Sequence, residues 1–200
     1  MIDEGYIKFQ SDWRRTPPLG VAEATELIRW REPLYDAGLI GVLADSGIGY
    51  GNTSVRIGDT DRFLISGTQT GHLKDLDDRH FAIVDRYDLE ANSVTARGPV
   101  EPSSESMTHA AIYALNSSIR AVVHVHDQDL WLRLKGVLPT TGEGVAYGTP
   151  DMARAFRRLF EDTDFPTTGI AVMAGHEDGL VSFGKDVQEA TERILTLLQD

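Results

Sequence analysis

Cysteine is absent from the 200 residues, which excludes a disulfide framework and leaves any metal to histidine and carboxylate ligands. Basic residues are scarce: 19 Lys and Arg stand against 31 Asp and Glu, a formal charge of −12. That sign is wrong for a surface that neutralises phosphate backbones or anionic lipid, so neither nucleic acid nor a membrane is an expected partner. No apolar run approaches the ~20 residues of a membrane span. The opening Met1-Ile-Asp-Glu-Gly5 has neither the basic nor the apolar region of a signal peptide, so a cytoplasmic protein is expected. A Pro/Gly/Ser-rich linker is missing too. A single α/β-type domain over residues 1–200 is therefore expected, with 1–20 as an N-terminal extension.

The most informative stretch is Arg120-Ala-Val-Val-His-Val-His-Asp-Gln-Asp129. Its β-branched run reads as a buried strand, and because strand side chains alternate faces, His124 and His126 point one way and Val125 the other. Two imidazoles one strand repeat apart can grip one metal ion; alone, they equally fit hydrogen-bonded histidines at a strand end. A third comes from the apolar strand Gly169–Ala174, which delivers Gly175-His176-Glu-Asp-Gly179 as a glycine-flanked turn before Leu180-Val-Ser-Phe183 returns. Three histidines plus an open position is the pattern of a catalytic divalent-metal site, usually zinc, whereas structural sites fill all four positions. Mn2+, Co2+ and Fe2+ are the alternatives.

Glu101-Pro-Ser-Ser-Glu-Ser-Met-Thr-His109 is the second informative stretch. Pro102, Ser103 and Ser104 predict a helix start, and Met107, Ala110, Ala111, Ala114 and Leu115 supply an apolar face running to about Asn116. The free N–H groups and partial positive charge of such an end can hold an anion. Glu105 and His109 share a face at i and i+4. Acidic residues in a first turn are also ordinary dipole partners, and His109 can equally cap or pack. The loops Ser46–Arg56 and Ser66-Gly-Thr-Gln-Thr-Gly71 expose backbone N–H groups and hydroxyls, as a phosphate requires, although each by itself reads as a turn.

The remainder reads as scaffold. Tyr6–Gln10 fits a short edge strand with no chemistry attached, broken by Pro17-Pro18. Val21 to about Ala37 predicts one helix kinked at Pro33, or two short ones, stopped by Gly38. A hairpin ends in Arg62–Ser66, and another joins Phe81–Asp85 to Ser93–Arg97. His72 and His80 read as surface residues. Helices are expected over Asp127–Lys135, from Thr149-Pro150, and from Asp186 to the C-terminus, with Asp186 and Glu189 in capping-box spacing.

The order of these motifs carries more than any one of them. Gly51-Asn-Thr-Ser-Val-Arg56, Phe63-Leu-Ile-Ser-Gly-Thr68, Pro102-Ser-Ser-Glu-x-x-x-His109, Val123-His-Val-His126, Tyr147-Gly-Thr-Pro150 and Gly175-His176, followed by Gly184 and a final helix, together resemble the class II aldolase/adducin family from about Leu34 onward. That family includes L-fuculose-1-phosphate aldolase, L-ribulose-5-phosphate 4-epimerase and methylthioribulose-1-phosphate dehydratase. The resemblance implies a three-layer α/β/α sandwich on a largely antiparallel sheet, and a fourfold tetramer with active sites at subunit interfaces. It implies His124, His126 and His176 as metal ligands and Glu105 as the acid/base residue. A substrate phosphate is implied among Asn52, Thr70, Gly71, Ser103 and Ser104. The implied reaction is metal-dependent retro-aldol cleavage of a small phosphorylated ketose through an enediolate.

The chain departs from the family pattern in three places. Ser66–Gly71 is longer than the usual Thr-Pro-Ser/Thr-Gly phosphate loop and lacks its proline. The interval between the His-x-His and Tyr147 is short and lacks the tyrosine that sugar-phosphate aldolases donate to a neighbouring site, leaving Asp127, Trp131, Arg133 and Lys135 as replacements to consider. The chain also stops after its last helix, without the tail that some members fold over the site. Dehydration or epimerisation of a similar sugar phosphate is the alternative chemistry. A non-catalytic adducin-like interaction domain is the alternative class, disfavoured by the complete histidine set.

Overall fold

The computed structural model describes residues 5–199; Met1–Glu4, part of the stretch read as lacking a signal peptide, and Asp200 lie outside the described residues. The strands are β1 (Gln10–Arg15), β2 (Gly41–Val42), β3 (Gly49–Tyr50), β4 (Asn52–Arg56), β5 (Phe63–Ser66), β6 (Phe81–Asp88), β7 (Ser93–Gly98), β8 (Ala121–His126), β9 (Ile170–Val172) and β10 (Gly179–Gly184). The helices are α1 (Glu23–Asp36), α2 (Ser106–Tyr113), α3 (Gln128–Leu134), α4 (Pro150–Asp162), α5 (Phe165–Thr168) and α6 (Val187–Thr196). One eight-stranded sheet runs in the order β1-β7-β6-β5-β4-β8-β10-β9, and β2 pairs with β3 apart from it. Within the large sheet every neighbouring pair is antiparallel except β1 with β7.

Alternation along the central strands feeds two cores. Phe63, Ile65, Val122 and Val181 pack with Met107 and Tyr113 of α2, Phe156 of α4 and Phe165 of α5. Leu64, Val123, Val125 and Leu180 face the other way, against Leu27 and Leu34 of α1, Leu130 of α3 and Ile194 of α6. Since adjacent strand residues belong to opposite faces, the sheet is the middle layer of an α/β/α sandwich. His124 and His126 share the Val122 face, under α2.

Helix ends follow their local chemistry. Thr149 and Asp186 cap α4 and α6 by accepting from the N–H groups of Met152 and Glu189. At the end of α1, Gly38 adopts a left-handed φ of 75°, and the N–H groups of Gly38 and Leu39 reach back to Tyr35 and Leu34. That paired closure needs the conformation glycine adopts without cost.

Helix α1 is one helix with Pro33 inside it, and not the two short ones that were the other expectation. Two boundaries differ from expectation. Helix α2 begins at Ser106, so Ser103 and Ser104 lie in the preceding turn and Glu105 takes the N-cap position. The first strand is Gln10–Arg15, not Tyr6–Gln10; it is a sheet-edge strand exposed except at the half-buried Trp13, so no apolar alternation marks it.

Candidate active site

Strand β8 brings the first two histidines to one face, and its register sets His124 opposite Asn52 of β4 and Val181 of β10, with His126 opposite Gly179. The turn between β9 and β10 brings His176 over them, tied by its N–H to Met173 O (3.0 Å) and by its carbonyl to the Gly179 N–H (3.0 Å). A Cβ on Gly175 would lie 2.3 Å from Val145 O, so this turn packs on the 142–148 loop only with glycine there. The ring centroids of His124, His126 and His176 are 4.9, 5.1 and 4.7 Å apart in pairs. Their ligand nitrogens all lie within 4.8 Å of one another, and Nε2 of His126 is 3.2 Å from Nε2 of His176.

These residues fit a divalent cation. Tetrahedral zinc with arms of about 2.05 Å sets neighbouring nitrogens about 3.3 Å apart. Nε2 of His124 is buried with no hydrogen-bond partner among the described residues, a costly state that binding of a cation at this atom would relieve. Gly179 keeps the space open, since a Cβ there would lie 2.8 Å from His176 Cδ2 and 3.3 Å from His124 Nε2. Burial, reinforced by the neighbouring imidazoles, holds His124 and His176 well below the usual histidine range, and burial brings His126 down to about 4. The rings are thus neutral at physiological pH, the form in which imidazole binds a metal.

Glu105 is fully buried at the start of α2, and its Oε1 lies 3.2 Å from His176 Nε2. One turn on, His109 faces β4: its Nε2 is 2.6 Å from Asn52 Oδ1 and its Nδ1 is 2.6 Å from Ser54 Oγ. Burial lowers the His109 pKa to about 3. Ser54 Oγ is also 2.8 Å from the Tyr113 hydroxyl, and Asn52 Nδ2 is 3.3 Å from His124 Nδ1. Asn52 therefore sits between a metal-ligand candidate and a buried histidine.

Asn52, Thr70, Gly71, Ser103 and Ser104 line one small polar cleft beside this group. The Ser103 hydroxyl accepts from the Glu105 N–H (3.2 Å), and the Thr70 hydroxyl donates to Gly67 O (2.8 Å). Behind the loop lies Arg31 of α1, which belongs to none of the sequence motifs. Its guanidinium is buried and donates to the carbonyls of Thr70, Gly71 and Lys74. Burial brings its pKa down to about 10, so it stays charged. A larger hollow opens at the far ends of the same strands, beside Arg56, Arg120 and Lys185, and contains none of these residues.

The N-terminal extension, expected to carry no chemistry, reaches the site. Gly5 lines the polar cleft. The Tyr147 hydroxyl accepts from the Tyr6 N–H (3.0 Å) and donates to the Tyr6 carbonyl (3.1 Å). Its ring lies 4.5 Å from that of His176, with the Lys8 ammonium 3.4 Å above its centroid. No sequence pattern signals a contact between residues 141 positions apart. The four residues named in the short interval each have a partner within this chain. Asp127 caps α3, the Trp131 indole donates to Met173 O, Arg133 donates to Leu197 O, and Lys135 pairs with Glu143.

Solved structures share this architecture. YgbL from Klebsiella pneumoniae, named provisionally as an aldolase/epimerase/decarboxylase, superposes with a TM-score of 0.65 at 21% identity, covering 90% of this chain and 88% of its own. An L-fuculose 1-phosphate aldolase gives 0.64 at 16% identity, with 90% and 85% covered. A sugar-phosphate aldolase from Thermotoga maritima gives 0.61 at 20% identity, with 88% and 92% covered. At such identities the likeness speaks for the fold alone. Comparison with curated proteins gave no match. The sequence pattern described as Class II Aldolase and Adducin N-terminal domain matches residues 46–199, most of the chain and every histidine and carboxylate of the site, so the protein belongs to the class II aldolase/adducin family.

Proposed function

We propose that the protein is a divalent-metal-dependent aldehyde-lyase that cleaves a small phosphorylated ketose by retro-aldol reaction. The observation that supports this best is the meeting of three features at one place: the histidine group, the buried Glu105 carboxylate 3.2 Å from His176, and a polar cleft that shares Asn52 with His124. In this reading His124, His126 and His176 hold the cation, zinc being the best match to three imidazoles with an open position. When bound, it supplies Lewis-acid polarisation of the substrate's carbonyl and hydroxyl oxygens. Asn52, Thr70, Gly71, Ser103 and Ser104 hold the phosphate through backbone N–H groups and hydroxyls, with the buried Arg31 charge behind their loop.

Cleavage passes the electron pair of the broken carbon–carbon bond to the ketone fragment and turns the cleaved alcohol into an aldehyde. One proton leaves oxygen and one arrives at carbon. Glu105, as a carboxylate, moves protons at that carbon or the adjacent hydroxyl. A cytoplasmic homotetramer completes the proposal, on the family resemblance.

The test is to offer phosphorylated ketoses to the zinc-loaded protein and identify the products. Dihydroxyacetone phosphate with an aldehyde is expected, lost on chelation and in His124→Ala. Cleavage that survives both rules the reading out. A diketone product would reassign the protein as a dehydratase, an inverted carbon centre as an epimerase, and a purified protein without stoichiometric metal as an adducin-like module.

A further inference from the structure

The buried chain behind His124 has a direction that can be worked out atom by atom. An amide oxygen only accepts, so the 2.6 Å contact with Asn52 Oδ1 puts a proton on Nε2 of His109. His109 is neutral, so its Nδ1 is bare and accepts from the Ser54 hydroxyl at 2.6 Å. Ser54 in turn accepts from the Tyr113 hydroxyl at 2.8 Å. At the other end the Asn52 amide nitrogen only donates, so at 3.3 Å it meets a bare Nδ1 on His124. Neutral His124 then carries its proton on Nε2, the atom that faces the other two histidines and has no partner. Every bond runs from Tyr113 toward His124.

That direction opposes metal binding, because a cation needs the Nε2 lone pair and so needs the His124 proton on Nδ1. We propose that Asn52 and His109 are positioning residues that couple metal binding at His124 to reversal of this chain, a reading that rests on the metal site assigned above. With the His124 proton on Nδ1, the Asn52 amide turns over so that its oxygen accepts. Its nitrogen then donates to Nε2 of His109, and the His109 proton moves to Nδ1 and donates to Ser54. Ser54 then donates to the Tyr113 oxygen across the same 2.8 Å contact, in which either hydroxyl can be the donor. His124 and His109 each exchange one tautomer for the other, with no proton gained or lost.

Because His109 is not a ligand in this scheme, its tautomer reports the coupling apart from turnover. The experiment is a zinc titration of the full chain labelled with 15N-histidine, read by long-range proton–nitrogen spectra that show which ring nitrogen carries the proton. His109 is expected to pass from Nε2–H without zinc to Nδ1–H with one equivalent bound. In Asn52→Asp both carboxylate oxygens accept, so His109 is expected to keep Nε2–H while zinc still binds. His109→Phe removes the amide's partner and is expected to weaken zinc binding about 10–100-fold. Zinc binding with an unchanged His109 tautomer in the unsubstituted protein overturns the coupling and leaves the metal site standing. Failure to bind zinc at all overturns both.

Discussion

Oε1 of Glu105 stands 3.2 Å from Nε2 of His176, so the fully buried carboxylate and a metal-ligand candidate converge on one point from α2 and from the turn before β10. A carboxylate so placed could move protons beside a cation held by the three imidazoles without being a ligand itself. Glu105→Gln keeps the shape and removes the base. Zinc content is expected to stay near one equivalent while kcat falls about 10²–10⁴-fold, measured by metal analysis and turnover on one sample.

Gly179 is the opening through which two of the histidines face each other. Gly179→Ala places a methyl group 2.8 Å from His176 Cδ2 and 3.3 Å from His124 Nε2, so at least one ring must shift. Zinc affinity, measured by competition with a chelator, is expected to fall about 10–100-fold, the range seen when the surroundings of a ligand are disturbed.

Arg31 supports the cleft from behind. Arg31→Met leaves the carbonyls of Thr70, Gly71 and Lys74 without their guanidinium donor. A loss of about 3 kcal/mol is expected from these unpaired groups, seen as a Tm lower by about 6–12 °C. Bound zinc should be unaffected, and KM for a phosphorylated substrate should rise as the loop loosens.

The buried histidines tie stability to pH in a definite direction. Burial depresses the native pKa of His109 to about 3 and of His126 to about 4, and keeps His124 and His176 well below 6.5. The unfolded chain therefore binds more protons than the native one below pH 6.5, and metal-free protein loses stability as pH falls through that value. At pH 5.5 each such imidazole disfavours the native state by about 1.4 kcal/mol relative to pH 7.5. Urea midpoints of the metal-free protein should fall between those two pH values and change little between pH 7.5 and 8.5.

What was legible in the sequence follows from what local patterns encode. A period of two within a β-branched run placed His124 and His126 on one face, and glycines around a strand end marked the turn of His176. Asn52, Thr70, Gly71, Ser103 and Ser104 stood out because hydroxyls and glycines at chain bends expose N–H groups, and the fold brings all five to one cleft. Arg31 and Lys8 carry no such mark, and Tyr147 stood out only as the head of the Tyr147–Pro150 motif and not through its contacts, because the partners of all three lie far along the chain. The His109–Asn52 pairing was hidden for the same reason, because it joins a helix to a strand 57 positions away.

The clasp between Tyr147 and the backbone of Tyr6 bears on how the protein is handled at the bench. A label attached at Gly5 would sit against the cleft wall and crowd substrates during any screen. A label on the exposed face of α6, whose buried face packs in the layer across the sheet, keeps the cleft clear.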